Sequence, residues 1–99
     1  MEQLTSKERE ALIPTLVATG WSLVDGRDAI TKTFRFKTFR DAFSWMTTAA
    51  LWAEKMDHHP EWSNTYNEVV VTLQTHSAGG LSELDIDLAK RMDAARNIE

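Results

Sequence analysis

The sequence contains no cysteine, so it forms neither a disulfide nor a cysteine-ligated zinc site, and it has no thiolate nucleophile. It also lacks a long apolar run. The first ten residues are mostly polar, and no segment approaches the roughly 20 residues that span a membrane. Basic residues number 11 against 15 acidic ones, and the net charge of −4 disfavours direct binding to a phosphate backbone. We therefore expect a soluble cytoplasmic protein that does not bind nucleic acid directly.

The residues that are present are enough for one small domain. The chain has 99 residues, of which 42% are hydrophobic, so it can bury one core without the help of disulfides or metal. It is too short for two such cores, and no low-complexity linker divides it. The sequence therefore predicts a single domain over residues 1–99.

Capping and turn residues divide the chain into seven elements. Thr5 with Glu8 forms a capping box that opens a first helix, and Pro14 is expected to kink or restart that helix. Hairpin turns are predicted at Asp25-Gly26 and at Asn67-Glu68. The order α-β-β-α-β-β-α, with antiparallel hairpins and the helices packed on one face, is an α+β sandwich.

Two details of the remaining elements matter later. Ile30 and Phe34 mark the apolar face of the second predicted strand, and Lys32 interrupts that face, which suggests a position near a sheet edge. Ser82 with Asp85 resembles a capping box and opens the last helix.

The long helix predicted over residues 38–57 carries two apolar stripes about 100° apart. The first comprises Phe39, Phe43, Met46, Ala50 and Ala53, and the second comprises Ala42, Trp45, Ala49, Trp52 and Met56. A surface helix needs only one stripe. Either both stripes form one wide core face, or one of them faces a partner. Because both tryptophans lie on the second stripe and would form a large apolar patch in water, we expect that stripe to mediate self-association.

All three histidines lie in the second half of the chain. His58 and His59 are adjacent and precede Pro60, while His76 follows the second hairpin. Because proline pushes the preceding residue out of the helical region, the two adjacent rings can converge on one cavity. The end of the hairpin can return His76 to the same place. Glu54 lies one turn before His58 and can orient its ring.

Three interpretations of these histidines are open on spacing alone. They can be surface residues at the ends of elements. They can be ligands of a three-histidine metal site, although the usual ligand spacings are absent. They can also perform general acid–base chemistry without metal, since the imidazole pKa of about 6.5 suits proton transfer at neutral pH. The spacing does not rank the third interpretation above the first.

The sequence resembles the pterin-4a-carbinolamine dehydratase family, also known as the dimerisation cofactor of a hepatocyte homeodomain transcription factor. The matching motifs are Asp57-His58-His59-Pro60-Glu61-Trp62, Thr75-His76, Gly80-Leu81-Ser82 and, upstream, Gly26-Arg27-Asp28-Ala29-Ile30. The resemblance implies dehydration of 4a-hydroxytetrahydropterin to quinonoid dihydropterin, which recycles the cofactor of aromatic amino acid hydroxylases, with no metal or organic cofactor. It also implies a four-stranded antiparallel sheet with three helices, and homodimers or homotetramers formed through the long second helix.

The resemblance also implies a set of site residues. The catalytic residues are His58, His59 and His76, supported by Glu54, and Asp57, Gln74, Thr75 and Ser77 join the histidines in lining the pterin site. Loss of the hydroxyl needs an acid for the leaving oxygen and a base for a ring nitrogen. We expect His58 in the last turn of the long helix, where the negative end of the helix dipole makes it the better proton donor. The alternative function is a protein-binding module that acts as the dimerisation cofactor of a transcription factor. Such a transcription-factor partner is expected only in an animal host.

Overall fold

The computed structural model describes residues 1–98, which form three α-helices around one sheet. The elements are α1 (Ser6–Val17), β1 (Ser22–Leu23), β2 (Ile30–Arg35), α2 (Phe39–Met56), β3 (Glu61–Thr65), β4 (Glu68–Leu73), a short 3-10 turn (His76–Ala78) and α3 (Glu83–Ile98). The predicted element order and α+β class are confirmed. No helix within residues 1–98 has the length and apolar character that crossing a membrane requires.

The four strands form one antiparallel sheet in the order β1-β2-β4-β3. In the central pair, Ile30 lies opposite Leu73 and Phe34 lies opposite Val69. These four side chains are buried on the helix side of the sheet, as the alternation of apolar and polar residues predicts. The first strand, β1, has only two residues.

Helix α1 begins at the predicted capping box. The Thr5 hydroxyl accepts from the Glu8 amide, and the Glu8 carboxylate accepts from the Thr5 amide. The expectation that Pro14 restarts the helix is wrong, since α1 runs without a break from Ser6 to Val17. Proline removes the amide that would bond to the carbonyl of Glu10, but Glu10 is exposed, so water can satisfy that carbonyl.

The second stripe of α2 packs in the core, against the prediction, and the first stripe is divided, since Ala53 is buried whereas Phe39, Phe43 and Ala50 are exposed. Trp45 is only 1% exposed, its indole Nε1 donates to the carbonyl of Met92 at 3.0 Å, and its ring centroid lies 4.3 Å from that of Phe34. The stripe expected to face a partner is therefore the core face of α2, because the large indole fills the space between the sheet and α3. The exposed apolar side chains of α2 are instead Phe39, Phe43 and Leu51, at 46%, 54% and 68% exposure.

Lys32 lies near a sheet edge, as predicted, because β1 pairs with β2 only at Ile30 and Thr31, so that at Lys32 strand β2 is paired with β4 alone. Its Nζ donates to Asp93 Oδ1 on α3 at 2.7 Å, and both side chains are largely buried, at 16% and 14% exposure. Asp93 Oδ2 accepts from the Trp21 indole at 3.1 Å and from the Thr19 hydroxyl at 2.8 Å. This ion pair ties β2 to α3 through an otherwise apolar layer.

A second ion pair joins α1 to the connection between β1 and β2, and the loop that precedes α3 bonds to the same carboxylate. The guanidinium of Arg9 donates twice to the carboxylate of Asp28, at 2.7 and 2.8 Å, and the amide of Leu81 donates to the same carboxylate at 3.1 Å. Gly80 lies so close that a Cβ atom there would overlap the Asp28 carboxylate. The hydrogen bonds from Arg9 lower the pKa of Asp28 from its ordinary value of 3.8.

Replacing Asp28 by asparagine is expected to lower the free energy of unfolding at neutral pH by about 1–2 kcal/mol. Because the pKa of Asp28 is lower in the folded state, the stabilisation is present above the unfolded pKa and is lost as the pH falls through the folded one. The variant should therefore lose less stability than the wild type between about pH 5 and pH 3 in urea titrations. Asp25→Asn, in the exposed turn, is the control, and equal acid losses in the Asp28 variant and the wild type would contradict the argument.

Candidate active site

Helix α2 ends in a way that turns His58 toward the interior. Asp57 adopts the left-handed conformation, with φ 51° and ψ 43°. The His58 amide donates to the carbonyl of Ala53 at 2.9 Å, and the Asp57 amide donates to that of Glu54 at 3.1 Å, which is the Schellman pattern. His58 therefore follows the helix and does not occupy its last turn, which corrects the prediction. Its side chain is only 7% exposed.

The residue at this left-handed position is unusual. Helix α1 ends with the same pair of backbone hydrogen bonds, and there the left-handed residue is Gly20. An L-residue costs roughly 1–2 kcal/mol more than glycine in this conformation, although aspartate tolerates it better than most. The backbone alone would thus favour glycine at position 57, and the Asp57 side chain lies at the cleft described next.

The end of α2 and the end of β4 converge on one cleft of about 320 Å³. Its lining contains all seven residues predicted to bind the pterin, namely Asp57, His58, His59, Gln74, Thr75, His76 and Ser77, together with Leu84. This volume lies at the lower end of the roughly 300–1,000 Å³ of small-molecule sites. Two larger hollows, of about 510 and 480 Å³, lie elsewhere and contain no histidine.

The His58 ring is fixed by a carboxylate that the sequence-based site did not include. His58 Nε2 forms a hydrogen bond with Asp85 Oδ1 at 2.6 Å, and Asp85 is fully buried. Asp85 Oδ2 accepts from the Thr75 hydroxyl at 2.7 Å and from the Ser82 amide at 3.0 Å. A carboxylate that is ionised can only accept, and with Asp85 in that form the proton of the bond belongs to His58 Nε2 and Nδ1 is the ring nitrogen that can exchange a proton.

The sequence contained a signal for Asp85, but for a different role. Ser82 with Asp85 was predicted to cap the last helix, and the Asp85 carboxylate does accept from the Ser82 amide there. The cap pattern gives no indication of His58, which is 27 residues away. One carboxylate therefore both caps α3 and holds the imidazole.

Glu54 contacts His59 and not His58. Its Oε1 accepts from His59 Nε2 at 2.9 Å, and the two side chains are 80% and 58% exposed. The predicted pairing relied on helical spacing, which no longer applies beyond the left-handed Asp57. His76 is exposed at the start of the 3-10 turn. Within residues 1–98, no three histidine, aspartate or glutamate side chains are grouped as ligands of a metal ion.

The family model described as Pterin 4 alpha carbinolamine dehydratase matches residues 2–95. The chain belongs to this family. This dehydratase is 56% identical over 93 residues to a Roseobacter denitrificans protein named as a pterin-4-alpha-carbinolamine dehydratase, covering 94% of this chain and 95% of that one. It is 59% identical over 92 residues to a Jannaschia sp. protein of the same name, covering 93% and 94% of the two chains. The recognition of the family from its motifs is confirmed.

Solved structures also resemble the dehydratase. The crystal structure of a transcriptional coactivator/pterin dehydratase from Brucella melitensis superposes with a TM-score of 0.89 at 53% identity, covering 96% of this chain and 99% of that one. A pterin dehydratase-like protein, described as a RuBisCO assembly factor in the alpha-carboxysome, superposes with a TM-score of 0.69 at 22% identity over 78% of this chain and 89% of that one. At that identity the second likeness shows the shared fold alone.

Proposed function

We propose that this protein dehydrates 4a-hydroxytetrahydropterin to quinonoid dihydropterin by histidine general acid–base catalysis. The observation that carries the proposal is the convergence of three imidazoles on one cleft, with His58 held by a buried carboxylate. In the reaction the bond from C4a to the hydroxyl oxygen breaks, and that oxygen takes a proton and leaves as water. The adjacent ring nitrogen loses its proton as a carbon–nitrogen double bond forms. One group must therefore donate a proton and another must accept one.

The geometry favours His58 as the donor. When its Nδ1 is protonated, the imidazolium rests against the Asp85 carboxylate, which supplies the compensating charge at a position where both side chains are buried. His59 and His76 lie on the open side of the cleft and are the candidates for the base.

The other residues of the cleft suit the flat face and the polar edge of a pterin ring. Leu84 provides an apolar surface for a flat ring, while the carboxylate of Asp57 and the hydroxyl of Ser77 can pair with the polar edge of the heterocycle. These contacts orient the substrate, and the histidines carry out the proton transfers.

The direct test is an assay on chemically generated 4a-hydroxytetrahydropterin, whose dehydration is followed by absorbance. The protein should accelerate this reaction over its spontaneous rate, and the acceleration should survive exhaustive chelation. A rate no faster than the spontaneous one would overturn the proposed activity. Loss of activity on chelation, with recovery on adding zinc, would instead support a metal-dependent mechanism.

We also propose that the protein forms a homodimer or homotetramer through α2. Helix α2 exposes the large apolar side chains of Phe39, Phe43 and Leu51, and the two phenylalanine rings are stacked at a centroid distance of 5.6 Å. An apolar hollow beside Leu51 and the half-buried Trp52 extends this surface. Such a patch is typical of an interaction site.

Replacing Leu51 by glutamate is expected to shift the protein to a species of half its mass or less, because a carboxylate would be buried without a partner in the interface. Sedimentation equilibrium measures the change. Val17→Glu, at a similarly exposed apolar residue of α1, should leave the mass unaltered. An unchanged mass for the Leu51 variant would exclude this face of α2 as the interface.

The alternative function, a protein-binding module that acts as a transcription-factor dimerisation cofactor, is favoured by one observation. The Brucella melitensis relative is described as a transcriptional coactivator as well as a pterin dehydratase. His58→Ala separates the two functions, since it should remove dehydration and leave any coactivation in a reporter assay intact. Coactivation lost together with dehydration in this variant would mean that the two are not separate.

A further inference from the structure

Arg27, in the connection between β1 and β2, contacts both segments that carry the histidines. Its guanidinium donates to the two carboxylate oxygens of Glu61, at 3.2 and 2.7 Å. Its Nη2 also donates to Gln74 Oε1 at 2.6 Å. Glu61 lies two residues after His59, and Gln74 lies two residues before His76. One side chain therefore bridges the rim of the cleft.

The contact with Arg27 fixes the orientation of the Gln74 amide. Oε1 of this amide faces Arg27, and Nε2 donates to the carbonyl of Asp28 at 3.3 Å, so the group is held at both ends. Gln74 lines the cleft, and its amide keeps one N–H and one lone pair that these two contacts do not use. Without Arg27, the amide would be free to rotate.

Arg27 also neutralises a charge beside the histidines. Its hydrogen bonds lower the pKa of Glu61, to which the nearby His76 contributes as well. The Arg27 and Glu61 side chains are 38% and 50% exposed, and ion pairs at such exposure contribute little to stability. The three hydrogen bonds of Arg27 are therefore better explained by a role in shaping the cleft than by a contribution to folding stability.

We propose that Arg27 is a positioning residue of the pterin cleft, which fixes the Gln74 amide and the spacing of the two histidine-bearing segments. The inference rests on the proposed function. Arg27 acts on substrate binding and takes no part in proton transfer, because it contacts none of the imidazoles. Its loss should therefore affect KM more than kcat.

Replacing Arg27 by methionine is expected to raise KM roughly fivefold while kcat stays within about twofold. Arg27→Lys should recover little, because an ammonium cannot form the paired contacts of a guanidinium. Arg35→Met is the matched control, since Arg35 forms an exposed ion pair with Glu68 outside the cleft. Thermal unfolding should be the same in all three variants.

A double-mutant cycle tests the coupling to Gln74. Gln74→Met alone should raise KM, and adding it to Arg27→Met should raise KM no further. Independent, additive effects would overturn the proposal, and so would an unchanged KM in Arg27→Met.

The affinity for a stable dihydropterin, measured by tryptophan fluorescence quenching, gives a readout that does not need turnover. If the wild type failed to dehydrate the carbinolamine, the proposed function would be wrong, while an equal dihydropterin affinity of the wild type and Arg27→Met would count against Arg27 alone.

Discussion

Asp85→Asn is expected to lower kcat for dehydration by roughly 100-fold and to leave KM within about twofold. An asparagine amide can donate to His58 Nε2, which places the proton of the neutral ring on Nδ1 instead. The imidazolium also loses the buried carboxylate that compensates its charge. Steady-state kinetics measures the effect, and circular dichroism checks that the variant keeps its fold.

Two companion variants make this result specific. Asp87 lies two residues after Asp85 on α3, in an exposed ion pair with Arg91. The kinetics of Asp87→Asn should match those of the wild type. His58→Ala should lose about as much kcat as Asp85→Asn, and combining the two should cost little more, because one residue acts through the other. If Asp85→Asn lowered kcat strongly while His58→Ala kept the full kcat, the assignment of Asp85 as the residue that acts through His58 would be wrong.

Asp93→Ala is expected to lower the free energy of unfolding by about 2–4 kcal/mol. The substitution leaves the largely buried ammonium of Lys32 without its counter-ion and with the Thr19 carbonyl as its remaining acceptor, and it removes the acceptor of the Trp21 indole. Breaking a largely buried pair by removing one partner is costly, because the remaining charge keeps its desolvation penalty. Urea denaturation provides the measurement.

The exposed pair of Arg35 and Glu68 supplies the comparison. Glu68→Ala should change stability by less than about 1 kcal/mol, since surface ion pairs contribute little. The double variant Lys32→Met with Asp93→Leu should recover part of the loss seen in Asp93→Ala, because it leaves no unpaired charge. Equal losses in Asp93→Ala and Glu68→Ala would show that burial of the pair is not the cause.

Local patterns in the sequence predicted the elements well. The capping box at Thr5 and the apolar face of β2 at Ile30 and Phe34 each involve residues within a few positions of one another, and each has the expected structure. The partners of Lys32 and His58 could not be predicted, because they lie 61 and 27 residues away. No local pattern encodes such distances.

Helix α2 shows a second limit of sequence reasoning. Both of its stripes are apolar, and the pattern does not indicate which one faces the sheet. The outcome depends on the space between the sheet and α3, which the indole of Trp45 fills. The motif around the histidines was more informative, since it brought together the residues of the cleft, but helical spacing gave the wrong partner for Glu54 because the helix ends at Asp57.

Under the proposed function, the left-handed aspartate at the end of α2 trades backbone stability for a carboxylate at the substrate cleft. A screen that rewards only resistance to heat should favour Asp57→Gly, which relaxes the backbone by about 1 kcal/mol. The same change removes a carboxylate from the cleft. Engineering for thermal tolerance should therefore hold position 57 fixed and seek its gains on the far side of the sheet.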